Sequence, residues 1–132
     1  MRSFFIIGGL MCALAVAFGA FGAHALKPMF NEYQMSLWER GNYYQMIHGI
    51  AILLSALAAY VFQTQRYFFI ASALFTLGIV CFAGSLYAIA LTGITAFGMV
   101  APIGGISLMI AWLLFLIGCF KFSSNIVIPK GA

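Results

Sequence analysis

Acid–base and metal-ligand chemistry has few possible homes in this chain. His24 and His48 are its only histidines, Glu32 and Glu39 its only carboxylates, and aspartate is absent. Histidine titrates near neutrality and suits proton relay or metal ligation. An ionisable residue inside a membrane span is a candidate for function because hydrocarbon penalises it. His24 closes the first long apolar run. His48 lies five to seven residues inside the second, about 8–10 Å deep at ~1.5 Å per residue. Glu39 falls between them, Tyr44 opens the second run, and Ser85, Tyr87 and Thr92 approach the same end of the third. His24, Glu39, Tyr44, His48, Ser85, Tyr87 and Thr92 therefore make a candidate polar pocket. Two readings apply to it. It is a hydrogen-bonded plug that sets helix register, or it binds a proton, metal or small ligand with Glu39 as partner.

A metal site is poorly supported. Zinc wants four ligands, or three plus water, and His24, His48 and Glu39 supply at most three from three elements. No H-E-x-x-H or C-x-x-C occurs. Cys12, Cys81 and Cys119 are odd in number, far apart and inside apolar runs, so they read as small packing residues. No metal and no cofactor is expected. Nor is an enzyme: there is no G-x-S-x-G and no acid pair, and Gly84-Ser85-Leu86 lacks the flanking glycine of a nucleophile elbow.

The elements that would position these residues follow from composition. Of 132 residues 65% are hydrophobic, eight carry a charge, and mean hydropathy is +1.12. Soluble domains run about 25% charged. The chain cannot be a soluble globule, a disordered segment, a nucleic-acid binder or a disulfide scaffold. It reads as an integral membrane protein whose partner is the lipid bilayer. Its +4 charge is scattered, which signals no nucleic-acid partner.

A membrane helix needs about 20 apolar residues. Arg2 to Lys27 leaves 24 uncharged residues, Arg40 to Arg66 leaves 25, and Arg66 to Lys121 leaves 54. The last gap divides at Thr92-Gly93-Ile94-Thr95-Ala96-Phe97-Gly98, ahead of Pro102. Four spans result, near 4–24, 43–63, 67–91 and 99–120, in one membrane domain over 1–132. The predicted fold is an all-α integral membrane protein, an antiparallel four-transmembrane-helix bundle. The segment 27–41 reads as a short amphipathic helix on the outer surface, with Trp38 at headgroup depth and Gly41 as its stop. Ala23-His24-Ala25 imitates a signal-peptide cleavage site, but the apolar run before it exceeds a typical signal core, so it is read as a retained span. Arg2, Arg66, Lys121 and Lys130 on one side, against Lys27 and Arg40 on the other, place both termini in the cytoplasm.

Each span carries unlike stripes. Phe4, Ile7, Met11, Leu14, Phe18 and Phe21 line the first, beside Gly8, Cys12, Ala15, Gly19 and Gly22. Phe75, Ile79, Phe82, Leu86 and Ile89 line the third, beside Gly78, Cys81, Ser85, Ala88 and Thr92. Ile103, Ile106, Ile110, Leu113, Ile117 and Phe120 line the fourth, beside Gly104, Ser107, Ala111 and Gly118. The second has a small and polar stripe of Gly41, Tyr44, His48, Ser55 and Ala59. Small residues let membrane helices approach closely. Bulky stripes are therefore expected to face lipid and small ones to face each other, with Gly8, Gly19, Gly22, Gly78, Gly104 and Gly105 as packing positions. Trp112 falls mid-span in the fourth helix.

Four stretches together resemble a known family: Gly19-Ala20-Phe21-Gly22-Ala23-His24-Ala25-Leu26; Tyr44 with His48; Phe82-Ala83-Gly84-Ser85-Leu86-Tyr87 with Ala90-Leu91-Thr92-Gly93; and Pro102-Ile103-Gly104-Gly105 with Trp112. The chain resembles the small bacterial inner-membrane family called domain of unknown function 423, which has eukaryotic relatives. Ala83 stands where that pattern commonly has serine. The resemblance implies a four-span plasma-membrane protein and carries no activity with it.

The expected role is that of an accessory or structural membrane protein, as a homo-oligomer or a small subunit of a larger membrane complex. The alternative is a small transporter or ion- or proton-conducting element built on the His24, Glu39, His48 and Tyr87 cluster.

Overall fold

The computed structural model describes residues 1–62 and 65–121. Among them the fold is all helical: α1 (Arg2–Phe21), α2 (Glu32–Val61), α3 (Gln65–Thr92) and α4 (Ala101–Phe120). Each is long and apolar enough to cross a membrane. A π-turn, Gly22–Leu26, prolongs α1, and a 3-10 turn, Thr95–Met99, leads into α4.

Local chemistry explains the boundaries. Asn31 Oδ1 accepts from the Gln34 N–H at 2.8 Å, and Gln34 Oε1 accepts from the Asn31 N–H at 3.1 Å. This reciprocal capping box satisfies two orphan donors and starts α2 at Glu32. At the other break, Gly93 takes φ +73°, the left-handed conformation that ends helices, and its N–H donates to Ile89 O at 2.8 Å. Pro102 sits in the first turn of α4, where a missing N–H costs nothing.

The separate surface helix expected over 27–41 does not exist. Its residues from Glu32 onward are the first turns of the 30-residue α2, which runs through Gly41. Gly41 is buried against α3: a Cβ there would meet Tyr87 Cε1 at 3.0 Å and Ala83 O at 3.3 Å. The glycine lets two helices meet rather than stopping one. Trp38 is 4% exposed, packed on Gly22 between α1 and α2.

Contacts run in opposite chain order on successive helices. Gly22 meets Trp38 while Gly8 meets Leu53; Gly41 meets Tyr87 while Ala58 clusters with Phe68; Gly104 meets Phe82 while Gly118 meets Phe68. Helices α2 and α3 form the centre. Helix α1 packs on α2 and α4 on α3, and α1 and α4 share no packed face among the described residues. The main core joins Ala51 and Ile52 of α2, Phe75, Ile79 and Ala83 of α3, and Leu108 and Ala111 of α4.

This arrangement corrects the stripe assignment for α3. Phe75, Ile79, Leu86 and Ile89 are buried, because α3 is flanked on both sides and uses its bulky stripe as core. On α4, a flanking helix, Ile103, Ile106, Ile110, Leu113, Ile117 and Phe120 are exposed while Gly104, Ser107, Ala111 and Gly118 are buried. That is the expected division. Gly8, Gly22, Gly78 and Gly104 are close-packed, and Gly19 faces Asn42. Gly105 is not a packing position: a Cβ there meets nothing within 4 Å. Gly49 and Gly118 are, against Cys12 and Phe68.

A Cβ at Gly104 would lie 2.7 Å from Phe82 Cβ and 2.8 Å from its Cα, so backbone must move. Gly104→Ala should therefore cost about 1–3 kcal/mol, read as a lowered unfolding midpoint in detergent. Gly9→Ala, where nothing lies within 4 Å, should stay within about 0.5 kcal/mol of the parent. Equal midpoints for the two variants would show that the α3–α4 contact is loose.

Candidate functional site

The polar groups of the helical core concentrate on α2. Gln34, Trp38, Asn42 and Gln45 follow one another at steps of four, four and three, which keeps them along one broad face. Each donates to a main-chain carbonyl of a neighbouring helix. Gln34 Nε2 reaches Ala90 O of α3 at 3.0 Å. Trp38 Nε1 reaches Phe18 O at 2.9 Å, Asn42 Nδ2 reaches Ala15 O at 2.6 Å and Gln45 Nε2 reaches Met11 O at 3.0 Å, all on α1. A helical carbonyl that already serves its own ladder keeps a second lone pair, and these amides and the indole use it. Gln45 also accepts, from Tyr87 Oη of α3 at 2.8 Å. One buried amide thus joins α1, α2 and α3.

Close approach makes the seam possible. A Cβ at Gly22 would lie 2.6 Å from Trp38 Nε1, and one at Gly19 would lie 3.3 Å from Asn42 Oδ1. The backbone of α1 widens where the indole lodges: the Lys27 N–H donates to Gly22 O, five residues back, at 3.0 Å. Tyr87 completes the region, its ring 4.6 Å from Trp38 and 5.4 Å from Phe18.

The expected pocket residues divide among separate surroundings. His48 is buried on the α3–α4 side of α2. Its Nδ1 donates to Tyr44 O on its own helix at 2.7 Å, and its ring stacks on Tyr44 at 5.5 Å, beside Phe75 and Trp112. His24 is exposed on the π-turn that prolongs α1. Glu39 is exposed at the rim of a small α1–α2 crevice of about 80 Å³ shared with Gly19, Gly22 and Asn42. Ser85 and Thr92 return their hydroxyls to their own helix, at Phe82 O (2.8 Å) and Ala88 O (2.6 Å). The structure therefore brings Tyr44 to His48, and Tyr87 to Gln45, but does not gather His24, Glu39 and His48. Among the described residues no three of His, Cys, Asp and Glu converge as metal ligands. Ser55 Oγ, on the buried face of α2, has no hydrogen-bond partner among the described residues.

Gln34, Asn42 and Gln45 are the residues that reading for titratable groups passes over. Their signal is present in the sequence: amides at i, i+8 and i+11 of one long helix. Amides do not ionise, yet in hydrocarbon they need partners as surely as a histidine does.

Comparison with known proteins agrees with this membrane architecture. The family described as "Protein of unknown function (DUF423)" matches residues 18–105. A UPF0382 membrane protein of Staphylococcus epidermidis is 40% identical over 123 residues, covering 93% of this chain and 99% of its own. A UPF0382 membrane protein of Staphylococcus aureus is 38% identical over 123 residues, with the same coverage. One of Staphylococcus saprophyticus is 40% identical over 121 residues, covering 92% of this chain and 99% of its own. No solved structure matches the chain. The chain belongs to the DUF423 family of membrane proteins.

If Gln45 joins three helices, its loss should be felt on two sides. Gln45→Leu and Tyr87→Phe should each destabilise by about 1–2 kcal/mol in detergent unfolding, the upper range for hydrogen bonds within membranes. The double variant should fall short of the sum by at least about 0.5 kcal/mol, because the two side chains share one bond. Strict additivity would remove the Gln45–Tyr87 bond from the account.

Proposed function

For a DUF423 protein with this geometry, we propose an accessory or structural role in the plasma membrane, as a homo-oligomer or within a larger membrane complex. The four helices cross the bilayer as an antiparallel bundle. Both termini lie in the cytoplasm, where Arg2, Arg66, Lys121 and Lys130 outnumber Lys27 and Arg40 of the opposite side. Thirty residues of α2 measure about 45 Å at ~1.5 Å each, against about 30 Å of hydrocarbon. Its first turns, with Glu32, Glu39 and Arg40, then stand in the headgroup region of the outer side.

One observation carries the reading: Gln34, Trp38, Asn42 and Gln45 of α2 are each engaged in a helix–helix hydrogen bond, with Gln45 bridging α1 and α3. Donors and acceptors that hold one another line no conducting path. The conducting alternative needs His24, Glu39 and His48 in one file, and their separate surroundings do not favour it.

Two measurements test the proposal. Extraction from native membranes in mild detergent should yield a species well above the 14.3 kDa monomer, containing further copies or other membrane proteins. A monomer alone, with protein-dependent ion flux in sealed vesicles, would overturn the accessory role in favour of conduction. For orientation, a reporter fused after Ala132 should respond as cytoplasmic. In a cysteine-free background, Tyr33→Cys should label from outside, Tyr33 being exposed.

A further inference from the structure

We propose that the cleft between α2, α3 and α4 binds a planar aromatic ring bearing hydroxyls, the chemistry of a quinol head group carried in the bilayer. This goes beyond the accessory role and does not depend on it.

The cleft lies apart from the amide seam. Tyr44 and His48 of α2, Phe82 of α3, and Gly105, Met109 and Trp112 of α4 bound a space of about 320 Å³. It shares Phe82, Gly105 and Met109 with a second space of about 470 Å³ that runs along α4 past Ile106 to Pro102. Ligand sites commonly measure about 300–1,000 Å³, are mostly apolar, and hold a few placed polar groups. Its rim residues Met109 and Trp112 are exposed, so entry is from the side of the helices, where a bilayer-borne molecule arrives.

Two polar groups in the walls are open and opposite in kind. The carbonyl of Tyr44 can only accept, so the neutral His48 ring carries its proton on Nδ1 and leaves a lone pair on Nε2. His48 is 7% exposed, and Nε2 has no hydrogen-bond partner among the described residues. The Trp112 indole N–H, a donor, also has none among them. An acceptor without a donor is unfavourable in apolar surroundings. An acyl chain filling the cleft would leave it so. A ring hydroxyl donates to Nε2, and a ring oxygen accepts from Trp112.

The walls suit a ring. Tyr44 and Phe82 lie 4.5 Å apart, and His48 and Trp112 6.2 Å apart, so aromatic faces and edges surround the space. Gly105 enlarges it, since a Cβ there would touch nothing within 4 Å. The adjoining apolar space along Ile106 and Pro102 receives an alkyl substituent.

The test uses the full chain in phosphatidylcholine nanodiscs, with partition into empty nanodiscs subtracted. Decylhydroquinone should bind saturably, one per chain. Decylbenzene, which lacks the hydroxyls, and the oxidised decylquinone, which lacks the donor, should each bind at least tenfold more weakly. His48→Phe loses only a bond within its own helix and should bind the hydroquinone at least tenfold more weakly. Gly105→Leu should abolish binding by filling the cleft. The ¹⁵N resonance of His48 Nε2 should shift with the hydroquinone and not with decylbenzene. Equal binding of all three compounds, binding unchanged in folded His48→Phe or Gly105→Leu, or no saturable binding at all would overturn the proposal. If both variants unfold, the comparison of the three compounds on the parent chain still decides it.

Discussion

Helices surrounded by hydrocarbon gain nothing by hiding apolar surface from one another, because lipid is as apolar as leucine. The helix contacts of this protein answer that constraint in two coupled ways. Backbones approach closely at small residues, and side-chain amides then reach across to main-chain carbonyls. Between α1 and α2 the two go together. Asn42 bonds Ala15 O at 2.6 Å in a place where Gly19 leaves it room, and Trp38 bonds Phe18 O where Gly22 presents no side chain. On the α3–α4 side the same close approach is made by Gly78, Gly104 and Gly118 against Leu108, Phe82 and Phe68. There it is van der Waals packing that holds the helices, since Ser107 bonds its own helix at Ile103 O.

Helix α2 consequently has two polar faces of different character. Toward α1 and toward Ala90 of α3 each of its amides donates across to another helix, and Gln45 accepts from Tyr87 of α3. A network with paired members is stiff and specifies one register. Toward the α3–α4 side stands His48, with one nitrogen held by its own helix and the other open to an aromatic cleft. The first face explains how a small membrane domain keeps a single arrangement. The second leaves one ring nitrogen of His48 without a partner among the described residues. The reversal of expectation at the histidines has a simple cause: His24 belongs to the π-turn at the end of a flanking helix, while His48 faces away from α1 altogether.

Much of the architecture follows from the order of residues alone. Uncharged stretches between Arg2, Lys27, Arg40, Arg66 and Lys121 dictate four spans, since a charge in hydrocarbon is costly wherever it falls. Gly93 and Pro102 divide the longest stretch because one accepts a positive φ and the other cannot continue a helix. The asymmetry of α4, bulky outward and small inward, is also readable in its periodicity, as α4 packs along one face, mainly on α3. Tertiary structure alone decided that α2 continues through Gly41, that Trp38 is core, that the bulky stripe of α3 is buried, and that Gln45 rather than a histidine joins three helices. The physical reason is common to all four. Hydrophobic pattern records how a residue partitions out of water, and a lipid tail and a neighbouring helix are equally apolar destinations. Which of the two a phenylalanine meets, and which carbonyl an amide finds, depends on where the other helices lie.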